Sequence, residues 1–139
     1  MRQVLIDTGC VVALLDRNER YHKDCADIVR DLTVPLVTCE AVIAECCYLL
    51  RNIPGAPEAV LENVERRVFG IPFRLTESTT AVRQLMSKYR KVPMDLADAC
   101  LVALAGELEM GEILTLDKDF SVYRWRRNRP FRNLLPFTF

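Results

Sequence analysis

The sequence predicts an α/β fold, a parallel sheet of about four to five strands flanked by helices, built as a single domain over residues 1–139. Three observations lead there. Short aliphatic runs alternate along the chain with longer stretches whose apolar residues recur at intervals of three and four. Hydrophobic residues make up 50% of the chain, enough to bury a core without disulfides or metals as staples. No internal repeat, low-complexity tract or long linker divides it.

The elements follow in order. Residues 3–6 read as a short buried strand, ended by Asp7-Thr8-Gly9, and residues 10–15 continue as an apolar helix. Arg17 to Arg20 is a polar turn. Residues 21–32 form a helix, because Tyr21, Cys25, Ile28, Val29 and Leu32 fall on one face. A second strand is expected over 35–38 and a very apolar helix over 40–51. Pro54-Gly55-Ala56-Pro57 breaks the chain. An amphipathic helix over 58–69 is closed by Gly70, and a third strand occupies 71–75. A helix covers 77–89, Pro93 stops anything earlier, and residues 95–109 start a new helix that Gly111 ends. Residues 112–116 form a fourth strand and 134–137 a fifth.

Charge and cysteine content narrow the function classes. The chain is formally neutral, with 19 basic and 19 acidic side chains. The charges are unevenly placed, because Arg124, Arg126, Arg127, Arg129 and Arg132 follow Tyr123 with no acid among them. The preceding body therefore has a net charge of −5. The six cysteines lie mostly in apolar helical runs, form no CxxC pair and have only His22 as a possible companion. That excludes the usual zinc spacings and suits small buried thiols in a reducing cytosol. His22 itself reads as a solvated helix residue. No opening segment resembles a signal peptide, and no apolar run approaches the ~20 residues that span a bilayer. A cytoplasmic protein without membrane contact is expected.

Four carboxylates sit where folding alone would not place them. Asp7 directly follows the strand Val4-Leu5-Ile6. Glu45 is the only charge between Ala41 and Leu50. Asp98 opens the apolar run that continues to Ala105, and Asp117 follows Ile113-Leu114-Thr115-Leu116. Burying an unpaired carboxylate costs several kcal/mol, so such residues need a cation or an arginine. In open α/β sheets, ligands bind beyond the carboxyl ends of the strands. Asp7 and Asp117 stand at such ends, Glu45 lies about two turns into the helix after the second strand, and Asp98 lies in the first turn of its helix. All four can converge on one edge. Oxygen ligands without histidine or cysteine suit a hard cation, Mg2+ or Mn2+, and those ions suit phosphodiester hydrolysis. Asp95 reads as a helix N-cap with Asp98 as its capping-box partner. Thr8 and Thr115 are placed to hold carboxylates or to cap backbone, and Asp119 competes with Asp117 for the fourth acidic position. The arginines at 124, 126, 127 and 129, with Trp125 between them, are the densest candidate for RNA contact. The same segment also reads as a turn before the last strand with Trp125 in the core.

The ordered set Val4-Leu5-Ile6-Asp7-Thr8-Gly9, Thr38 with Ala44-Glu45, Leu96-Ala97-Asp98-Ala99 and Ile113-Leu114-Thr115-Leu116-Asp117 resembles the PIN domain. Within that family it resembles the VapC-type toxins of toxin–antitoxin pairs. The resemblance spans nearly the whole chain. It implies a three-layer α/β fold and a Mg2+- or Mn2+-dependent endoribonuclease with Asp7, Glu45, Asp98 and Asp117 as its acidic residues. It also implies an antitoxin partner and a homodimer. Some members process RNA without being toxins, and a domain that only binds RNA or protein is a third reading. The string Ile6-Asp7-Thr8-Gly9 also matches an aspartic-protease signature. That all-β fold is rich in turn glycines, whereas this chain has five glycines and mostly helical periodicity.

Overall fold

The computed structural model describes residues 2–136. Five parallel strands form the central sheet in the order β3-β2-β1-β4-β7. They are β1 (Val4–Ile6), β2 (Leu36–Val37), β3 (Phe69–Gly70), β4 (Glu112–Leu114) and β7 (Arg132–Asn133). A separate antiparallel hairpin joins β5 (Arg124–Trp125) to β6 (Arg129–Pro130). Six helices are interspersed: α1 (Thr8–Leu15), α2 (His22–Asp31), α3 (Glu40–Leu49), α4 (Ala56–Glu65), α5 (Leu75–Lys88) and α6 (Leu96–Leu108). The parallel α/β architecture expected from the alternation is the one observed.

The center of the sheet is dry because its residues are aliphatic on both faces. Val4, Leu5 and Ile6 are fully buried, as parallel strands covered by helices on both sides must be. α6 is the other core element. All nine residues from Ala97 to Ala105 are buried, and four of them are alanines, which let neighboring helices approach closely. Asp98 is the only charge in that stretch. Truncating a fully buried core residue such as Leu101 to alanine should cost about 2–5 kcal/mol.

Several boundaries differ from the sequence expectation, each for a physical reason. α1 begins at Thr8 rather than Cys10, because the Asp7 side chain accepts the Thr8 N–H and caps the helix. The third strand is Phe69–Gly70, not 71–75. Phe69 pairs with Leu36 and Gly70 with Val37, and β2 offers only those two residues as partners. α4 accordingly stops at Glu65, with Arg67 taking the left-handed turn (φ 60°) expected of Gly70. α6 ends on Glu109 in a left-handed conformation (φ 54°), so Gly111 does not cap it. Gly111 is needed because a Cβ there would overlap the Trp125 indole. The fifth strand is Arg132–Asn133, not 134–137, and Phe137 lies outside the described residues. His22 is only partly solvated. Half-buried, its Nδ1 lies 2.7 Å from the Ala13 carbonyl and ties α2 to the end of α1.

Candidate active site

The strand order reverses direction at β1, with β2 on one side and β4 on the other. That switch point leaves a crevice beyond the carboxyl ends of β1 and β4. Asp7 stands one residue past β1 and Asp117 three past β4. α6 enters from the side with Asp98 in its first turn, and α3 presents Glu45 from half-way along. The crevice has a volume of about 240 Å³ and is lined by Asp7, Thr8, Gly9, Glu45, Asp95, Asp98, Leu116 and Asp117. No lysine or arginine lines it. A larger hollow of about 440 Å³ between α5 and α6 holds one carboxylate, Glu107, so size alone does not mark the chemistry.

Asp7, Asp98 and Asp117 each offer one oxygen such that the three oxygens lie within 4.8 Å of one another. Asp7 is 4% exposed and Asp98 8%, whereas Asp117 is half-buried. Each is held by neutral donors. The Thr8 N–H donates to Asp7 Oδ1 at 2.7 Å and the Thr115 hydroxyl to Asp7 Oδ2 at 2.8 Å. The same Thr115 oxygen accepts the Asp117 N–H at 2.9 Å, and Asp117 Oδ1 accepts the Asp119 N–H at 2.9 Å. Thr115 is itself clasped by Asn133, whose side chain donates to its carbonyl and accepts from its N–H. Thr8 turns its hydroxyl the other way, to Glu45 Oε1 at 2.8 Å.

The sequence-expected residues fall into two groups. Asp7, Asp98 and Asp117 come together. Glu45 lies on the rim, half-buried, facing Asp95. Asp119 stands outside the three-oxygen set and contributes its backbone N–H. Asp95 is the N-cap of α6, accepting the Asp98 N–H at 2.9 Å. The reciprocal half of the capping box is missing, because Asp98 Oδ2 accepts instead from the Tyr123 hydroxyl at 3.1 Å. Sequence reasoning missed Tyr123 and Asn133. Tyr123 sits between Val122 and Arg124 at the head of the arginine segment, and Asn133 follows an arginine on an edge strand. Neither carries a local signal of contact with a carboxylate.

The electrostatics follow from crowding with little counter-charge, Lys118 acting weakly on Asp117. Burial pushes the Asp7 carboxyl up to about 6, against the pull of its Thr115 and Thr8 hydrogen bonds, with Asp117 and Glu45 adding repulsion. Burial, then repulsion from Asp7 and Asp95, pushes Asp98 up to about 8. Glu45 and Asp117 are raised as well, burial again being the first cause. Such a donor set fits a hard divalent cation. It is all oxygen, it is preorganized by neutral hydrogen bonds, and no positive side chain lines it, Lys118 pulling weakly on Asp117 from outside.

The arginine segment is arranged differently. Trp125 is 7% exposed, its Nε1 donating to the Pro130 carbonyl, so it is not available to stack on a base. Arg124 donates to the carbonyls of Ser121, Val122 and Tyr123. Arg126 donates to the Gly106 carbonyl at the end of α6 and pairs with Glu109. Arg129 lies over the Trp125 ring, 5.5 Å from its centroid. Arg127 has no ion pair or hydrogen bond among the described residues. Gly106 is eight residues beyond Asp98 on α6, about 12 Å along the helix axis, so the hairpin sits at the far end of that helix from the acids.

Fold and crevice together define a class: α/β proteins with a parallel sheet and a carboxylate-lined site at its switch point. The PIN domain family model matches residues 4–126, and the chain belongs to that family. It is 29% identical over 126 residues to Ribonuclease VapC26 of Mycobacterium tuberculosis, covering 87% of this chain and 92% of that protein. Its fold is similar to that of Mycobacterium tuberculosis VapC20, a Sarcin-Ricin loop cleaving toxin. The TM-score is 0.80 at 18% identity, over 91% of this chain and 99% of the other. A second similar fold is found in VapBC2 from Rickettsia felis, bound to a DNA fragment from its promoter. There the TM-score is 0.63 at 15% identity, covering 95% and 98%.

Proposed function

We propose that this chain is a Mg2+- or Mn2+-dependent endoribonuclease that hydrolyzes RNA phosphodiester bonds at Asp7, Glu45, Asp98 and Asp117, and that it is the toxin of a toxin–antitoxin pair. The observation that carries the reading is the three-oxygen cluster of Asp7, Asp98 and Asp117 in a crevice without a cationic side chain. The similarity to a ribonuclease over 87% of the chain supports the substrate class.

Asp7, Asp98 and Asp117 would hold the cation, with Glu45 reaching it from the rim. A bound divalent cation supplies charge neutralization for the phosphodiester and polarizes the attacking water. The chain's own residues do the rest. Thr115 orients Asp7 through one oxygen and the Asp117 backbone through the other face of the same hydroxyl. Thr8 links Asp7 to Glu45, so the rim acid and the floor acid are set by one residue. Asp98, pushed up to about 8, is the carboxyl whose proton a bound cation would displace near neutral pH.

The partners follow from surfaces. Tyr48 and Leu49, on the helix that carries Glu45, are 63% and 57% exposed. An apolar face beside an acidic crevice suits an antitoxin segment that also brings a basic side chain to Glu45 or Asp98, and it suits a second copy of the chain. No helix of the described residues is long and apolar enough to cross a membrane. We assign the protein to the cytoplasm, acting as one domain over residues 1–139.

The test is direct. Purified protein should cleave RNA with Mg2+ or Mn2+, lose that activity in excess chelator, and regain it on adding metal back. Full cleavage in chelator would end the metal reading. Growth arrest on expression, relieved by a neighboring antitoxin gene, distinguishes the toxin from an RNA-processing enzyme.

A further inference from the structure

We propose that Tyr123 is a positioning residue for the cation site: its buried hydroxyl holds one oxygen of Asp98, so that Asp98 meets a divalent cation through the other. The proposal rests on the metal-dependent reading above. Tyr123 has no exposed surface, and its hydroxyl donates to Asp98 Oδ2 at 3.1 Å. It is the only side-chain donor to Asp98 among the described residues.

The ring cannot drift. Tyr89 and Phe120 meet it edge-on, each with centroids 5.1 Å away, and Phe120 is braced in turn by Phe131 at 5.4 Å. Tyr89 is anchored separately, its hydroxyl accepting the Arg124 N–H at 3.0 Å. A wall of four aromatic rings therefore aims one hydroxyl at one carboxylate oxygen. Asp7 is oriented the same way by Thr115, from the sheet. The two most buried acids of the crevice are thus set from opposite sides by neutral donors, which orient a carboxylate without neutralizing it. A cationic partner would compete with a metal for the same charge, whereas a hydroxyl does not. Outer-shell partners of this kind typically change metal affinity by about 10–100-fold when removed.

A tyrosine that merely satisfied its own buried hydroxyl would affect stability and not metal affinity. The experiment separates the two. Mn2+ binding to the full chain is measured by calorimetry for the parent, Tyr123→Phe, Asp98→Asn, the double variant and Tyr89→Phe, with melting temperatures taken in chelator. Phenylalanine keeps the ring packing and removes only the hydroxyl. Tyr123→Phe should weaken Mn2+ binding by about tenfold or more, and should add no further loss in the Asp98→Asn background. Tyr89→Phe deletes a hydroxyl of the same wall that does not touch Asp98, and should bind Mn2+ as the parent does. Parental affinity in Tyr123→Phe overturns the positioning role alone. Equal losses in Tyr123→Phe and Tyr89→Phe would show general loosening of the wall and also overturn it. A parent chain that binds no Mn2+ removes the metal reading, and this proposal with it.

Discussion

The acidic crevice and the arginine hairpin are both dense clusters of one charge, and they treat that charge in opposite ways. In the crevice, one oxygen from each of Asp7, Asp98 and Asp117 lies within 4.8 Å of the others, and the groups that hydrogen-bond to these acids are neutral hydroxyls and N–H groups. In the hairpin and its flanks, Arg124 is committed to three carbonyls, Arg126 to Gly106 and Glu109, and Arg132 to Glu112. A charge that folding has already partnered has a structural account. A buried charge without a partner is destabilizing, and persists because something outside the chain completes it. The comparison supports the proposal of ligand binding at the crevice and gives most of the hairpin's charge a structural account.

The largest effect expected from this contrast is on catalysis. Asp7→Asn and Asp98→Asn keep shape and remove charge, and each should lower RNA cleavage at saturating Mg2+ by about 100-fold or more, since several kcal/mol of transition-state stabilization is at stake. Folding should be intact by circular dichroism. Parental turnover in either variant would take that residue out of the site.

The next effect is on stability, and its sign runs against habit. Asp7 and Asp98 have folded-state values raised to about 6 and about 8, above the usual aspartate range. Folding therefore favors their protonated forms. That contribution is fully present below the unfolded-state value near 4, and is lost as pH rises through about 6 for Asp7 and about 8 for Asp98. The chelated protein should lose stability between pH 4 and pH 8, by about 3 kcal/mol from Asp7 alone at ~1.4 kcal/mol per pKa unit. Asp7→Asn should melt higher than the parent at pH 8 in chelator, and excess Mn2+ should reverse the order. A parent whose chelated melting temperature is flat over that range would mean the carboxylates are already neutralized within the chain.

A smaller effect is expected from Arg126. It caps the last turn of α6 through the Gly106 carbonyl and Glu109, both partly in solvent. Arg126→Ala should cost about 1 kcal/mol of stability by chemical denaturation, mostly from the lost carbonyl contact, because exposed ion pairs contribute little. Cleavage at saturating RNA should stay within about twofold, since removing an exposed side chain far from the acids leaves their geometry untouched. A 100-fold loss would mean that RNA is held at the hairpin during the reaction.

How much of this was legible in the sequence depends on how local the cause is. Asp7, Asp98 and Asp117 stood out because each interrupts an aliphatic run, and that anomaly is visible within a few residues. The sheet was legible for the same reason at β1 and β4. β3 was not, because Phe69 fits a helical face as well as it fits a strand, and its pairing with Leu36 is set from more than 30 residues away. β7 was hidden by its polarity. Arg132 and Asn133 sit on an edge, where charged and amide side chains are tolerated, and Asn133 spends its amide on Thr115. The arginine segment reads equally as an RNA track and as a turn with Trp125 in the core, because sequence shows charge but not partners; Trp125 is indeed buried. Its commitments to carbonyls and Glu109 exist only in three dimensions.

The smallest expected effect concerns what remains of RNA binding at the hairpin. With Arg124 and Arg126 engaged and Arg129 over Trp125, Arg127 is the arginine of the tip with no ion pair or hydrogen bond among the described residues. It points the question at one side chain. An RNA strand held at the crevice would have to extend about 12 Å along α6 to reach this end of the helix, a span of a few nucleotides. If it does, Arg127→Ala should weaken RNA binding modestly and reduce the slope of log affinity against log salt by about 0.7, one phosphate contact on a single strand. Replacing Arg126, Arg127 and Arg129 together should reduce the slope by little more than Arg127 alone, because the other two already have partners within the fold. A triple variant that loses about 2 units of slope would show that RNA displaces those internal contacts, and would return the hairpin to the binding surface. An unchanged slope in both would move that surface elsewhere, with Arg17 and Arg20 between α1 and α2 and Lys23 at the start of α2 next in line.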